Sequence, residues 1–289
     1  MQRFIRLFFA MKNIQIITSA ANPIIRLTSA VVRTQRRAAK EGLFTVEGLR
    51  LAEMAAVSDW QIRHALVTER ALTAERTRAL VELLVERGIP VALVSETIFS
   101  TLAETEHPQG IVLLAERRER GALDALAAGR SADEPLLYIA LDRVQDPGNV
   151  GTILRTADAV GVTGVILLRG SADIYSGKVI RATMGSLFHV PFVTGVTAEE
   201  LAGFAQKEDL QLLATACDET AETHFSMDFR RGTIVVFGNE ANGVSEEILN
   251  ASQHIYIPMR GSAESLNVAT AVTAVLYEAL RQRCWEGNP

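Results

Sequence analysis

A chain of 289 residues, 48% of them hydrophobic, can bury one large core or two ordinary ones. Its formal net charge of −5 argues against a general nucleic-acid binder, and no apolar run is long enough to span a bilayer. The two cysteines, Cys217 and Cys284, have neither metal-ligand nor disulfide spacing, which points away from a disulfide scaffold and fits a reducing cytoplasm.

The apolar run at Met1–Ala10 is interrupted by Arg3 and Arg6, and no cleavage site follows. Residues 1–19 therefore read as a disordered tail, with Met11 an alternative start. From Lys12 to Arg50 cations outnumber Glu41 and Glu47, so the segment is basic inside an acidic chain. Asn22-Pro23 signals a helix start. One helix is expected from Ile24 to Lys40, with Ile24, Leu27 and Val31 as its apolar stripe. Arg33, Arg36, Arg37 and Lys40 cluster at its end. The helix dipole explains any one of them. All four together, followed by Gly42-Leu43-Phe44-Thr45-Val46-Glu47-Gly48, read as a phosphate-facing patch.

Strands are expected at 44–46, 62–68, 89–94 and 111–114, and helices at 49–57, 73–87 and 95–103. This small α/β unit, residues 20–116, lacks a catalytic constellation. His64 and His107 stand alone and read as structural or solvated. Recognition is its expected task. The charge run Glu116–Arg120 and the punctuating Gly121, Gly129 and Pro135 mark a linker over 117–135.

From 136 to 289 the pattern begins again. Strands are expected at 136–141, 165–168, 210–214, 234–237 and 254–257, and helices at 149–160, 178–184, 198–207, 245–250 and 266–283. Such alternation predicts a mostly parallel sheet flanked by helices, with ligands beyond the carboxyl ends of its strands. Three polar junctions stand there. The first is Asp146-Pro147-Gly148-Asn149, with Arg155 on the following helix. A surface ion pair with Asp158 is the plain account of Arg155. The second, Gly238-Asn239-Glu240-Ala241-Asn242-Gly243, is not a dinucleotide fingerprint. The third is Ile257-Pro258-Met259 through Ser265-Leu266-Asn267, ahead of a nearly uncharged helix. A fourth stretch, Ser176–Ser186, carries Lys178 and Arg181 one turn apart. They either meet phosphates of a ligand or sit on a solvated helix face.

In that order, the three junctions resemble the motifs of the SpoU/TrmH family of RNA ribose 2′-O-methyltransferases, in the SPOUT superfamily. Phe44-Thr45-Val46-Glu47-Gly48 and the basic helix before it resemble that family's L30e-like substrate-binding domain. The resemblance spans about Asn22 to Arg283. It implies an α/β SPOUT domain with a parallel sheet and a deep trefoil knot, S-adenosylmethionine as cofactor, no metal, a homodimer, and structured RNA as partner, ribosomal RNA before tRNA. It nominates Gly238, Asn239, Gly243, Ile257, Met259 and Leu266 for the cofactor. For the chemistry it nominates Arg155, Asn149, Glu240, Ser265 and Asn267.

The reaction implied is in-line methyl transfer to a ribose 2′-hydroxyl, a poor nucleophile that must be positioned and deprotonated. Arg155 either acts as a desolvated base or uses its fixed charge on a phosphate or alkoxide. Ser265 either touches the hydroxyl or caps the last helix. The alternatives are a tRNA enzyme, a Rossmann-type methyltransferase, for which the glycine-rich first loop is missing, and a silent RNA-binding protein, against which Arg155 and the third loop argue.

Overall fold

The structure, a computed structural model, describes residues 14–118, 121–127, 134–216 and 221–285. Most of the expected tail and part of the expected linker, with Cys217, lie outside the described residues. The chain divides into two compact units. Of the described residues, one unit holds 14–118 together with Tyr175–Phe188, and the other holds the rest. The stretch 175–188, which the sequence places inside the second domain, packs with the first unit.

The first unit opens with β1 (Gln15–Ile17), α1 (Pro23–Arg33), α2 (Gln35–Glu41) and β2 (Leu43–Glu47). It continues through α3 (Leu49–Val57), β3 (Ile62–Thr68), α4 (Glu75–Glu86), β4 (Val91–Val94), α5 (Glu96–Phe99) and β5 (Ile111–Glu116). The sheet order is β1-β4-β3-β5-β2, with β5 antiparallel to both neighbours and the other pairs parallel. Two expectations are corrected here. Residues 15–17, assigned to the tail, form a strand on β4 with Ile17 buried; three residues are too few for a period-2 signal. The single helix over 24–40 is two helices. Thr34 adopts extended backbone (φ −143°, ψ 124°) and its side chain caps α2 at Arg37 N, so a local cap overrides the helical periodicity. Glu47 is buried. It accepts hydrogen bonds from Glu104 N (2.8 Å) and the Thr105 hydroxyl.

The second unit contributes β6 (Leu137–Asp142), α6 (Pro147–Val160) and β7 (Gly164–Leu168). The chain then supplies α7 (Gly177–Thr183) to the first unit. There Phe44, Trp60, Tyr175 and Phe188 form a chain of ring contacts with centroids 5.1–6.1 Å apart. The Tyr175 hydroxyl accepts from Arg118 N (3.0 Å), and the Arg118 guanidinium lies 4.4 Å from the Trp60 ring. Arg181 pairs with Glu104 at 2.6 Å, so of the two candidate phosphate cations on α7 it is already engaged, while Lys178 is exposed.

The rest of the second unit is β8 (Phe192–Val196), α8 (Ala198–Lys207), β9 (Gln211–Thr215), β10 (Glu222–Thr223), β11 (Thr233–Gly238), α9 (Glu246–Leu249), β12 (Gln253–Tyr256) and α10 (Val268–Trp285). Its seven strands run in the order β10-β12-β9-β11-β6-β7-β8, every pair parallel. The middle strands are buried along their whole length, which is why they read as unbroken apolar runs. Tyr138, Ile166, Phe204, Ile234 and Ile248 fill one side of the sheet. Helices α6 and α10 pack together, with the Thr156 and Thr273 hydroxyls 3.1 Å apart. Among the described residues no helix is long and apolar enough to cross a membrane.

Candidate active site

The carboxyl ends of the adjacent strands β6 and β11, with that of β12, deliver the three polar junctions to one place. After β6, Asp146 caps α6 by accepting from Asn149 N (2.7 Å), and Pro147 supplies the preset φ of the first helical position. The cap fixes Asn149 in the first turn and leaves its side chain free to bridge. The Asn149 amide donates to Glu240 Oε1 (2.8 Å), and its oxygen accepts from Asn267 Nδ2 (2.9 Å). One carboxamide thus joins all three junctions.

Each outer partner is held by its own loop. Asn239 Oδ1 accepts from Ala241 N (3.0 Å) and Asn242 N (3.1 Å), and its Nδ2 donates to the Arg143 carbonyl (2.9 Å). The loop closes on itself through the Asn239–Gly243 bridge. That turn leaves no room at Gly238, where a Cβ would lie 2.0 Å from the Gly243 carbonyl carbon. Asn267 Oδ1 accepts from Ala269 N (2.9 Å) and Thr270 N (3.3 Å), so Asn267 is the cap of α10 and Ser265 is not. Asp142, buried at the end of β6, accepts from Ser245 N (2.6 Å) and pairs with Arg143 Nε (3.0 Å). It ties the first loop to the exit of the second. The sequence reading passed over Asp142, although a carboxylate ending an apolar strand is a signal.

These loops enclose a cavity of about 600 Å³. Gly238, Asn239, Glu240, Gly243, Ile257, Met259, Ser265, Leu266 and Asn267 all line it. Thr215, Phe237 and Ile255 are also part of the wall, and the sequence did not single them out. Apolar walls, a few convergent polar groups and this volume suit a small amphipathic ligand. The backbone-lined glycine turn and the apolar side chains fit the adenosyl and methionine parts of S-adenosylmethionine.

Arg155 does not line this cavity. It is exposed on α6, and among the described residues it has no side-chain partner. The plain alternative for Arg155, an ion pair with Asp158, is not formed; Asp158 faces His189 Nδ1 at 3.5 Å. Arg33, Arg36, Arg37 and Lys40 are exposed in the first unit. Among the described residues no group of three or more His, Cys, Asp or Glu side chains is placed to hold a metal ion.

A parallel α/β sheet with a ligand cavity at the carboxyl ends of its strands defines a small-molecule-binding enzyme fold, and the comparisons say which. Residues 136–277 match the SpoU rRNA methylase family, and residues 22–113 match the MRM3-like substrate binding domain. An uncharacterized tRNA/rRNA methyltransferase of Synechocystis is 35% identical over 94% of this chain and 96% of its own length. The 23S rRNA (guanosine(2553)-2′-O)-methyltransferase RlmP of Bacillus subtilis is 33% identical over 85% of this chain and 92% of its own. Among solved structures, the AdoMet-bound rRNA methyltransferase from Sinorhizobium meliloti superposes with a TM-score of 0.82 at 30% identity, covering 95% of this chain and all of that one. The AdoMet complex of the SpoU methyltransferase AviRb from Streptomyces viridochromogenes gives 0.78 at 30% identity over 91% and 98% of the two chains. The chain belongs to the SpoU rRNA methylase family. It is a methyltransferase, and its cofactor is S-adenosylmethionine.

Proposed function

We propose that this protein methylates a ribose 2′-hydroxyl of ribosomal RNA, with the cavity holding S-adenosylmethionine and the Glu240–Asn149–Asn267 chain at its rim organising the acceptor. The observation that carries this is the single carboxamide, Asn149, hydrogen-bonded to both other loops. When bound, the cofactor supplies an electrophilic methyl group on a sulfonium that departs as a neutral thioether. The protein's task is therefore to place the alcohol and manage its charge. The Gly238 turn, Ile257 and Leu266 hold the cofactor by backbone and apolar contact. Asn149, oriented by Glu240 and Asn267, positions the ribose. Arg155 acts by charge, steering the RNA phosphate and stabilising the developing alkoxide as the hydroxyl proton leaves to water.

Because Arg155 is exposed and does not line its own cavity, the active form is a homodimer in which Arg155 of one chain serves the cavity of the other. The exposed Phe225 and Tyr277 of the second unit favour a covered face there. The loops around β11 and β12 form the family's trefoil knot, and the protein works in the cytoplasm, where ribosomes are assembled.

The test is incubation of the purified protein with methyl-labelled S-adenosylmethionine and unmodified ribosomal RNA. Label on a ribose is expected. Label on tRNA alone would change the substrate, and no transfer to any RNA despite cofactor binding would end the proposal. Arg155→Ala is expected to lower transfer at least ~10²-fold, the scale of one lost transition-state donor, with cofactor affinity unchanged. Mixing Arg155→Ala with Gly238→Val, each inactive alone, is expected to restore activity through mixed dimers. Failure to complement, with mixed dimers demonstrated, would place Arg155 in its own chain's site.

A further inference from the structure

The break at Thr34 has a chemical consequence. In one continuous helix Arg26, Arg33 and Arg37 would lie in a line of about 16 Å. Here α2 folds back on α1 and the line becomes a corner. Arg26, Ser29 and Arg33 of α1, Thr34 at the bend, Arg37 of α2 and Thr101 line a groove of about 580 Å³. The guanidinium and hydroxyl groups stand around an apolar floor of Ala20, Ile25 and Ala30. Among the described residues Arg26 and Arg33 have no carboxylate partner. Arg37 pairs with Glu41 at 2.8 Å, an exposed i,i+4 contact that a phosphate readily displaces. Arg36 and Lys40, in the same basic run, do not line the groove.

We propose that this corner is a built phosphate-binding groove, in which Arg26, Arg33 and Arg37 hold the sugar–phosphate backbone of the RNA substrate while the hydroxyl of Ser29 donates to a phosphate oxygen. The proposal rests on the RNA-methyltransferase reading and deepens it. It divides the basic run in two: Arg26, absent from the obvious cluster, belongs to the binding machinery, and Arg36 and Lys40 do not. Guanidinium groups on two helices meeting at an angle fit the forked geometry of phosphate better than scattered lysines would. Contact to the backbone positions RNA without reading its sequence.

Two double variants of the full chain test it, Arg26→Ala/Arg33→Ala in the groove and Arg36→Ala/Lys40→Ala outside it. Affinity for unmodified 23S rRNA transcript fragments is measured by fluorescence anisotropy across a salt series. Losing two phosphate contacts is expected to reduce the slope of log affinity against log salt by about 2. The outside pair is expected to leave it near the wild-type value. In methyl transfer the groove pair is expected to raise KM for RNA with kcat at saturating RNA unchanged. An equal fall in slope for both pairs would mean diffuse charge and overturn the groove, as would a wild-type slope in the groove pair. If the alanine pair melts at lower temperature, Arg26→Gln/Arg33→Gln, which keeps much of each stem, repeats the measurement. The groove and the activity fail separately. A wild-type protein that methylates no RNA, with the slope change intact, removes the enzymatic reading alone.

Discussion

Asn149 shows how much one short side chain can organise. Its amide has one donor end and one acceptor end, and the structure uses them on different loops. Gly238 is as constrained for the opposite reason, since any side chain there would collide with backbone. Gly238→Ala must open the 238–243 turn, so cofactor affinity measured by calorimetry is expected to fall at least ~10-fold, equivalent to about 1.4 kcal/mol. Binding at wild-type affinity would mean the turn is not the cofactor's floor. His224 is a different residue-scale case. It is buried just after β10, beside Tyr256 of β12 and Glu278 of α10, and burial pushes its pKa below 6.5. The folded state therefore holds it neutral, while the unfolded chain takes up a proton near 6.5. Stability from this group is present above that value and is lost as the pH falls through the lower folded value. Melting temperature is thus expected to decline on acidification below 6.5, and His224→Gln is expected to flatten that decline. An identical pH profile in the variant would place the acid sensitivity elsewhere.

At the scale of elements, α10 depends on Asn267 for its start. Asn267→Ala removes the cap and the link to Asn149 together. It is expected to cost about 1 kcal/mol, or ~2–4 °C in melting temperature. The same substitution is expected to weaken methyl transfer beyond what stability explains, because Asn149 loses its acceptor-side anchor. A change in melting with no change in kcat would make Asn267 a cap and nothing more. Much at this scale is legible in the sequence. The middle strands of the second unit are nearly unbroken apolar runs, and the expected helices at 49–57 and 198–207 match α3 and α8 end to end. What was hidden is local. Thr34 has ordinary helical neighbours, and only its side-chain bond to Arg37 N reveals the break. The strand β1 is too short to carry a pattern and exists because β4 offers it an edge. In the site, glycines and asparagines announced the loops, but Thr215 and Ile255 entered only when parallel pairing put their strands beside β11 and β9. Which residues face a cavity is a property of register, and register is not written in one segment.

At the scale of the whole molecule the units do not follow the linear division of the sequence. Tyr175–Phe188 belongs to the first unit, where Tyr175 and Phe188 complete the ring cluster of Phe44 and Trp60. A fragment ending at Arg118 is therefore expected to melt less cooperatively than the same fragment carrying residues 175–188 on a short glycine–serine connection. Equal melting would show that the added segment contributes nothing to that core. There is also a consequence for biosynthesis. Chains usually complete their N-terminal domain before the next one is made. Here the ribosome must add 70 residues beyond Arg118 before Phe188 exists. At ~5–20 residues per second, that delay is roughly 4–14 s. Throughout it, the Phe44 and Trp60 rings lack the partners that will bury them, and the nascent first unit presents an aromatic surface to whatever waits at the tunnel exit.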